Sequence, residues 1–375
     1  MTFATIRSID GHAARASAKT IWVFVHVRDS DGNSGWGEAT LAGQEGDLAA
    51  ALSPLAAQLC GTSAHPCDNP LDRCGVRRTD RAGAAIASAL DQALWDAAGR
   101  REGRPMRDLI GTTVRDTIPL YANINRRTVD RTPAGFAASA RKAIADGFET
   151  VKIAPFDAVR PGSGENVAEG IARAAAVRSE IGPKRRLFVD CHWRFDLANA
   201  SIALDALAEL GVTWFECPLP EHPENFEGLR QLRAQANRLG AVLAGCETET
   251  ALEGFRPFID AGTYDVLMPD IKYAGGMVEF RRTADYAATR GMKVAPHNPS
   301  GPVSHVASLQ LCATLPGMMI LEHQYDESPV FSSILLDSLP LTHQGNSALP
   351  AGPGLGISLD AGKLISLSEL RGPSA

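Results

Sequence analysis

Three stretches decide the fold: Phe188-Val-Asp190-Cys-His192, Trp214-Phe-Glu216-Cys-Pro218 and Leu243-Ala-Gly-Cys-Glu247. Each is a short apolar run finished by a carboxylate, and the carboxylates recur at intervals of 26 and 31 residues. Such an interval holds one strand, one helix and their loops, the repeat of a parallel β/α array. Outward from these stretches the same alternation begins at about Thr117. Candidate strands lie at 117–124, 149–154, 186–191, 212–216, 241–245, 265–269, 292–296 and 318–322. Ala-rich helical patterns fill 132–146, 166–181, 199–210, 225–238, 251–261, 276–290 and 303–314. Eight strands predict a (β/α)8 barrel over residues 116–348. A doubly wound open sheet has a similar rhythm, but no GxGxxG follows an early strand and the count reaches eight.

Residues 1–115 follow a different pattern. Ile21–Arg28 is rich in β-branched and aromatic residues, the turn Asp29-Ser-Asp-Gly-Asn33 follows, and Gly35-Trp-Gly-Glu38 completes a predicted hairpin. Helical periodicity covers Asp47–Cys60 and Ala82–Gly99, with Gly99 expected as a C-cap. This reads as a small α+β unit, strands first and helices after. The Pro/Gly-rich tail, 349–375, is too short for a domain and is expected to pack back on that unit.

The 375 residues are 45% hydrophobic, ample for a large core, and carry a net charge of −6 without basic clusters, which argues against a nucleic-acid partner. No stretch approaches the ~18 uninterrupted apolar residues of a membrane helix, so the expectation is a cytoplasmic protein with no membrane partner. A homo-oligomer is expected. Cys60, Cys67 and Cys74 recur every seven residues, yet no CxxC pair or nearby His supports a metal or disulfide framework. Reduced thiols are expected.

In a barrel the chemistry sits at the C-terminal strand ends. Three converging carboxylates, Asp190, Glu216 and Glu247, repel one another unless a hard cation neutralises them, and a divalent ion that prefers oxygen ligands is the natural partner. Glu249 competes with Glu247, since alternate residues of an extended segment share a face; Glu247 is closer to the apolar run. Strand six ends Val266-Leu-Met-Pro-Asp270 and strand seven Val294-Ala-Pro-His297. A hydrogen-bonded Asp–His pair there makes the imidazole a competent base. Strand two adds Lys152 and strand eight Glu322.

With these residues the chain resembles the enolase superfamily and, within it, the mandelate racemase subgroup. Gly35-Trp-Gly-Glu38, the helix Ala89-Leu-Asp-Gln-Ala-Leu-Trp-Asp-Ala97, the barrel entry Ile118-Pro-Leu-Tyr-Ala122 and Asp270 followed by Gly275-Gly276 carry the likeness over nearly the whole chain. The resemblance implies Asp190, Glu216 and Glu247 as Mg2+ ligands and His297 with Asp270 as the base that removes a proton α to a substrate carboxylate, a step that needs strong stabilisation of the ene-diolate.

Departures narrow the reading. The strand-two Lys-x-Lys of many members is here Lys152-Ile-Ala154, leaving Lys152 as an electrostatic helper, and the strand-six Lys of muconate-cycloisomerase-like members is matched by Tyr273. Asp190-Cys-His192-Trp-Arg194 instead resembles galactonate-dehydratase-like members, where the His protonates the departing hydroxyl. Cys217 and Cys246 stand where a polar residue and a Gly are usual. The expectation is an acid-sugar dehydratase giving a 2-keto-3-deoxy acid, a carbon–oxygen lyase, with a small carboxylate as substrate. A racemase or epimerase pairing His297 with Lys152 is the runner-up, and a catalytically silent binding protein is the third reading. Specificity is expected from cap loops at about 10–20 and 40–47, through His12, Arg15 and Lys19, with Arg194 as a further substrate contact.

Overall fold

The computed structural model describes residues 4–67, 69–160, 164–340 and 342–370, so the first three residues of the expected cap and the last five of the expected tail lie outside it. Strands β1 (Ile6–Arg15), β2 (Ile21–Asp29) and β3 (Ser34–Glu38) form an antiparallel meander. Asp29 closes the β2–β3 turn by accepting from the backbone N–H groups of Asp31 (3.0 Å) and Asn33 (2.8 Å). β2 is buried on both faces: Val23, Val25 and Val27 enter the core of the cap, while Trp22 and Phe24 join the cluster continuous with the barrel. The meander thus lies between the cap helices and the barrel.

Helices α1 (Glu45–Leu59), α2 (Pro70–Cys74), α3 (Arg81–Glu102) and α4 (Arg107–Ile110) complete the cap. The Asp80 side chain caps α3 by accepting from Gly83 N–H. The expected stop at Gly99 is corrected: α3 continues to Glu102, and Gly103 takes the left-handed cap at φ 66°. Gly99 serves a close approach instead, because a Cβ there would lie 2.6 Å from Gly354 Cα.

Eight parallel strands follow: β4 (Thr117–Asn123), β5 (Thr150–Ile153), β6 (Arg186–Asp190), β7 (Val212–Glu216), β8 (Val242–Gly245), β9 (Val266–Leu267), β10 (Lys293–Val294) and β11 (Leu321–Gln324). Each pairs with the next as far as β10, β11 pairs with β4, and Met319 N–H donating to Val294 O at 2.8 Å joins β10 to the segment entering β11. β9 and β10 are shorter than expected because Pro269 and Pro296, at the ends of the anticipated strands, have no N–H for the ladder. The connecting helices are α5 (Pro133–Ala145), α6 (Val167–Ile181), α7 (Leu197–Glu209), α8 (Phe226–Arg238), α9 (Ala251–Ala261), α10 (Met277–Ala288) and α11 (Pro302–Cys312). After β11 the helix is reduced to one turn, α12 (Val330–Ser333). A hairpin of β12 (Thr342–His343) and β13 (Asn346–Ala348) pairs along β4, and β14 (Ile365–Ser366) returns to pair with β1.

Period-two alternation builds the barrel interior in two levels. Tyr121, Phe188, Trp214, Val266, Met268, Ala295 and Ile320 form an apolar plug, with Phe188 and Trp214 stacked at 4.6 Å. Two residues further along their strands stand Asp190, Glu216, Asp270, His297 and Glu322. Cap side chains hold the loops above this ring. Glu38 accepts from Gly301 N–H (2.7 Å) and Ser304 N–H (2.9 Å) at the start of α11. Asp91 accepts from Met277 N–H at 2.8 Å at the start of α10, and Gln92 donates to Ile271 O at 3.4 Å. Among the described residues no helix is long and apolar enough to cross a membrane. The seven cysteines are free, with Cys60 exposed, Cys67 half-buried and Cys74 buried.

Candidate active site at the barrel mouth

Lys152 sits at the centre of the polar ring. Its Nζ lies 2.6 Å from Glu216 Oε1, 3.0 Å from Glu322 Oε1 and 3.7 Å from Asp190 Oδ2, and its side chain is 1% exposed. Glu322 is fully partnered, accepting also from Asn123 Nδ2 at 2.6 Å and Asn298 N–H at 2.8 Å. Burial opposes its charge, but Lys152, His297 and the Asn298 N–H outweigh burial and hold Glu322 at about 2.

The carboxylates of strands three to five are in the opposite condition. Burial, countered by Lys152 and reinforced by Asp190 and Glu322, pushes Glu216 up to about 7. Burial raises Asp190 too, against the pull of Lys152. Glu247 is raised well above the ordinary carboxylate range, by burial and then by Asp190 and Glu216, and its Oε2 is buried with no hydrogen-bond partner. Glu249 packs over Gly254, away from this ring; burial raises it too, against the pull of Arg78 and Arg81. Among the described residues no three His, Cys, Asp or Glu side chains form a ready-made metal cluster; Lys152 supplies the nearest positive charge to Asp190 and Glu216. The donor set fits a hard divalent cation nonetheless: Asp190 and Glu216 share one ammonium with Glu322, and the third buried carboxylate, Glu247, keeps an oxygen with no partner at all.

Sharp bends follow these strands. His192 (φ 47°), Trp193 (φ 56°), Cys217 (φ 44°) and Cys246 (φ 65°) are all left-handed, a conformation that costs a residue other than Gly on the order of 1 kcal/mol or more. The φ of Cys246 accounts for the glycine that the family resemblance leads one to expect there.

On the other side of the mouth, His297 Nδ1 lies 2.8 Å from Asp270 Oδ2, and His297 Nε2 lies 3.6 Å from Glu247 Oε1. The sequence reading missed Lys272, whose buried Nζ donates to the same Asp270 Oδ2 (2.6 Å) and to Ser300 Oγ (2.6 Å). Burial works against the Asp270 charge, but Lys272 and His297 hold it at about 2. The comparison with a strand-six Lys had stopped at Tyr273, whose hydroxyl instead donates to Glu247 O at 2.9 Å. Alternation from Asp270 would have pointed to Lys272.

His192 Nε2 lies 3.0 Å from Asp190 Oδ2, and about half of its side chain is exposed. Desolvation and the Lys152 ammonium lower it below the usual His range. It lines a cavity of about 650 Å³ with Lys19, Ala42, Asn125, Arg126, Arg131 and Ala154 among others; His297 and Glu247 do not line it. Of the proposed cap contacts, Lys19 therefore reaches this cavity and two do not. His12 belongs to β1, where it packs on His26 and Trp36 and lines a separate cavity with Asp10 and Arg28. Arg15 is exposed at the end of β1 and does not line the His192 cavity. The physical reason is that residues 10–15 pair with β2 as a strand, so the loop is only 16–20. Arg194 turns to Val159 O (3.2 Å) and does not line the cavity either.

Residues 135–363 match the family described as Enolase C-terminal domain-like, and residues 9–111 match the Mandelate racemase / muconate lactonizing enzyme, N-terminal domain. The chain belongs to this family of the enolase superfamily, with its cap and (β/α) barrel. It is 29% identical over 348 residues to a D-gluconate dehydratase of Thermoproteus tenax, covering 90% of this chain and 68% of that protein. A D-galactarolactone cycloisomerase of Agrobacterium fabrum is 29% identical over 365 residues, with 94% and 91% covered. A D-galactonate dehydratase of Ralstonia nicotianae is 28% identical over 358 residues, with 93% and 91% covered. A solved enolase-superfamily member from Salmonella Typhimurium has the same fold, with TM-score 0.81 at 24% identity over 95% of this chain and 96% of that one.

Proposed function

We propose that this protein is a Mg2+-dependent acid-sugar dehydratase that removes the proton α to a substrate carboxylate and expels the β-hydroxyl, giving a 2-keto-3-deoxy acid. The observation that carries the reading is the arrangement of two histidines about the carboxylate ring, His297 beside Glu247 (3.6 Å) and His192 beside Asp190 (3.0 Å). Asp190, Glu216 and Glu247 would hold the cation, which when bound supplies positive charge to stabilise the ene-diolate. Asp270 fixes the His297 tautomer through Nδ1 and leaves Nε2 to take the α-proton. Lys152 adds an ammonium to the ring, and Glu322 holds that ammonium in place. His192 gives its proton to the leaving oxygen as the C–O bond breaks, and the enol product then becomes the ketone. Burial and Lys152 hold the His192 ring below the usual His range, and a substrate carboxylate beside it would favour the protonated form that this step needs.

Named relatives at equal identity include a dehydratase and a cycloisomerase, so similarity alone does not select the reaction, and His192 is what favours elimination. The racemase reading needs Lys152 as a second base, yet its ammonium is committed to Glu216 and Glu322. Candidates for each catalytic role stand against a silent binding protein. Incubating the enzyme with a panel of aldonic and aldaric acids, with Mg2+ or with chelator, tests the proposal. It predicts a 2-keto acid from at least one member, lost on chelation. Full turnover by metal-free enzyme would overturn it.

A further inference from the structure

We infer that Glu221 is a positioning residue that ties together the bends carrying Glu216 and Glu247 and so sets the spacing of those carboxylates; the inference rests on reading both as cation ligands. Glu221 lies in the turn Pro218-Leu-Pro-Glu221 after β7. Its Oε1 accepts from Cys246 N–H at 2.5 Å and from Tyr264 OH at 2.7 Å, and Cys217 Sγ is 3.9 Å away. The Trp193 side chain also acts on this carboxylate, although neither Trp193 Nε1 nor Glu221 Oε2 makes a regular hydrogen bond. One buried side chain therefore touches the residues that follow β7 and β8, with Trp193, after β6, close enough to act on its charge.

The bends explain why a tie is needed. Cys246 is left-handed at φ 65°, and its N–H goes to Glu221 while the neighbouring Cys217 and Met268 N–H groups still pair between strands, with Ala244 O (3.0 Å) and Gly245 O (3.0 Å). Cys217 bends at φ 44° immediately after Glu216, and Cys246 immediately before Glu247. Gly245 leaves the space for the carboxylate: a Cβ there would lie 2.8 Å from Glu221 Oε1 and 2.6 Å from Tyr264 Cζ. The unusual residues at 217 and 246 thus go with an acceptor supplied five residues after Glu216.

The test uses the full-length protein as Glu221→Ala, Glu221→Gln and Tyr264→Phe. In metal-free protein, amide hydrogen exchange is expected to speed up in Glu221→Ala across 243–248 and 215–219, with the barrel helices unchanged. Mn2+ titration followed by electron paramagnetic resonance is expected to show affinity about 10- to 100-fold weaker, the usual effect of losing a group that orients a ligand. Glu221→Gln keeps an acceptor oxygen and should restore most of both properties. Wild-type exchange in Glu221→Ala overturns the tie, and lost protection with wild-type Mn2+ affinity overturns its role in spacing the ligands. If Glu221→Ala does not fold, Tyr264→Phe carries the test: faster exchange over 243–248 with weaker Mn2+ binding supports the inference, and no change in either overturns it. Failure of wild-type protein to bind Mn2+ would instead refute the ligand reading, and the exchange arm would still decide whether the tie exists.

Discussion

The two sides of the barrel mouth treat negative charge in opposite ways. On strands six to eight, Asp270 and Glu322 have a full set of donors and are held at about 2. On strands three to five, Glu216 is pushed up to about 7 and Glu247 keeps a buried oxygen without a partner. The first side stores ionised carboxylates that orient a base and an ammonium. The second is short of positive charge, and left-handed bends at Cys217 and Cys246 adjoin Glu216 and Glu247. The difference separates carboxylates that orient a base and an ammonium from those proposed to receive a cation.

The largest expected effect lies with the two histidines, one on each side. His297→Asn should lose dehydration and exchange of the α-proton with solvent deuterium, by about 10²- to 10⁴-fold. His192→Asn should lose dehydration to a similar degree but still exchange that proton. Dehydration by His192→Asn at the wild-type rate would remove the residue from the mechanism and reopen the racemase reading.

Next in size is Lys272→Met, which strips a buried ammonium from Asp270. It should cost about 3 kcal/mol of stability in chemical denaturation while leaving Mn2+ affinity unchanged, because Lys272 belongs to the other side of the mouth. A fall in Mn2+ affinity matching that of Glu247→Gln would break the division.

The pH dependence of stability sharpens the comparison further. A carboxylate raised in the folded state holds its proton more tightly there than in the unfolded chain, so its contribution is intact below the unfolded pKa and is lost as pH rises through the folded one. Chelated protein should therefore lose stability between about pH 5 and 8 as Glu216 ionises. Asp91 and Glu221, also near 7, add to that loss. Mg2+ should abolish the part due to Glu216 and Glu247 and leave the rest. Asp270 and Glu322 act at the other end, with stability present above about pH 4 and lost towards pH 2. Thermal melts across pH, with and without Mg2+, read both; an unchanged slope on adding Mg2+ would contradict the assignment.

The smallest effect is expected at the cavity rim, where Lys19→Ala should raise KM a few-fold with kcat unchanged, as exposed ion pairs contribute about 0–1 kcal/mol. A larger loss confined to kcat would move Lys19 from substrate contact to catalysis.

Much of this was legible in the sequence, for a physical reason. Strand alternation puts Phe188 with Asp190 and Trp214 with Glu216 on one face, so a plug and a charged ring are written two residues apart. What stayed hidden depends on contacts remote in sequence. β1 reads as polar because Asp10, Gly11 and His12 interrupt its pattern, and its strand character comes from pairing with β2 and β14, which takes His12 out of the loop. Lys272 follows Pro269, where the strand ladder has already ended. Gly99 looks like a helix stop until Gly354, far along the chain, is packed against it.

The central claim is elimination through a single base, and it is tested most directly by incubating the enzyme with single stereoisomers of a substrate acid in deuterated water. Polarimetry, proton NMR and 2-keto acid formation are followed together. The account predicts 2-keto-3-deoxy acid with no accumulation of the α-epimer. Rapid inversion at the α-carbon without keto product would contradict it and give Lys152 the part of a second base.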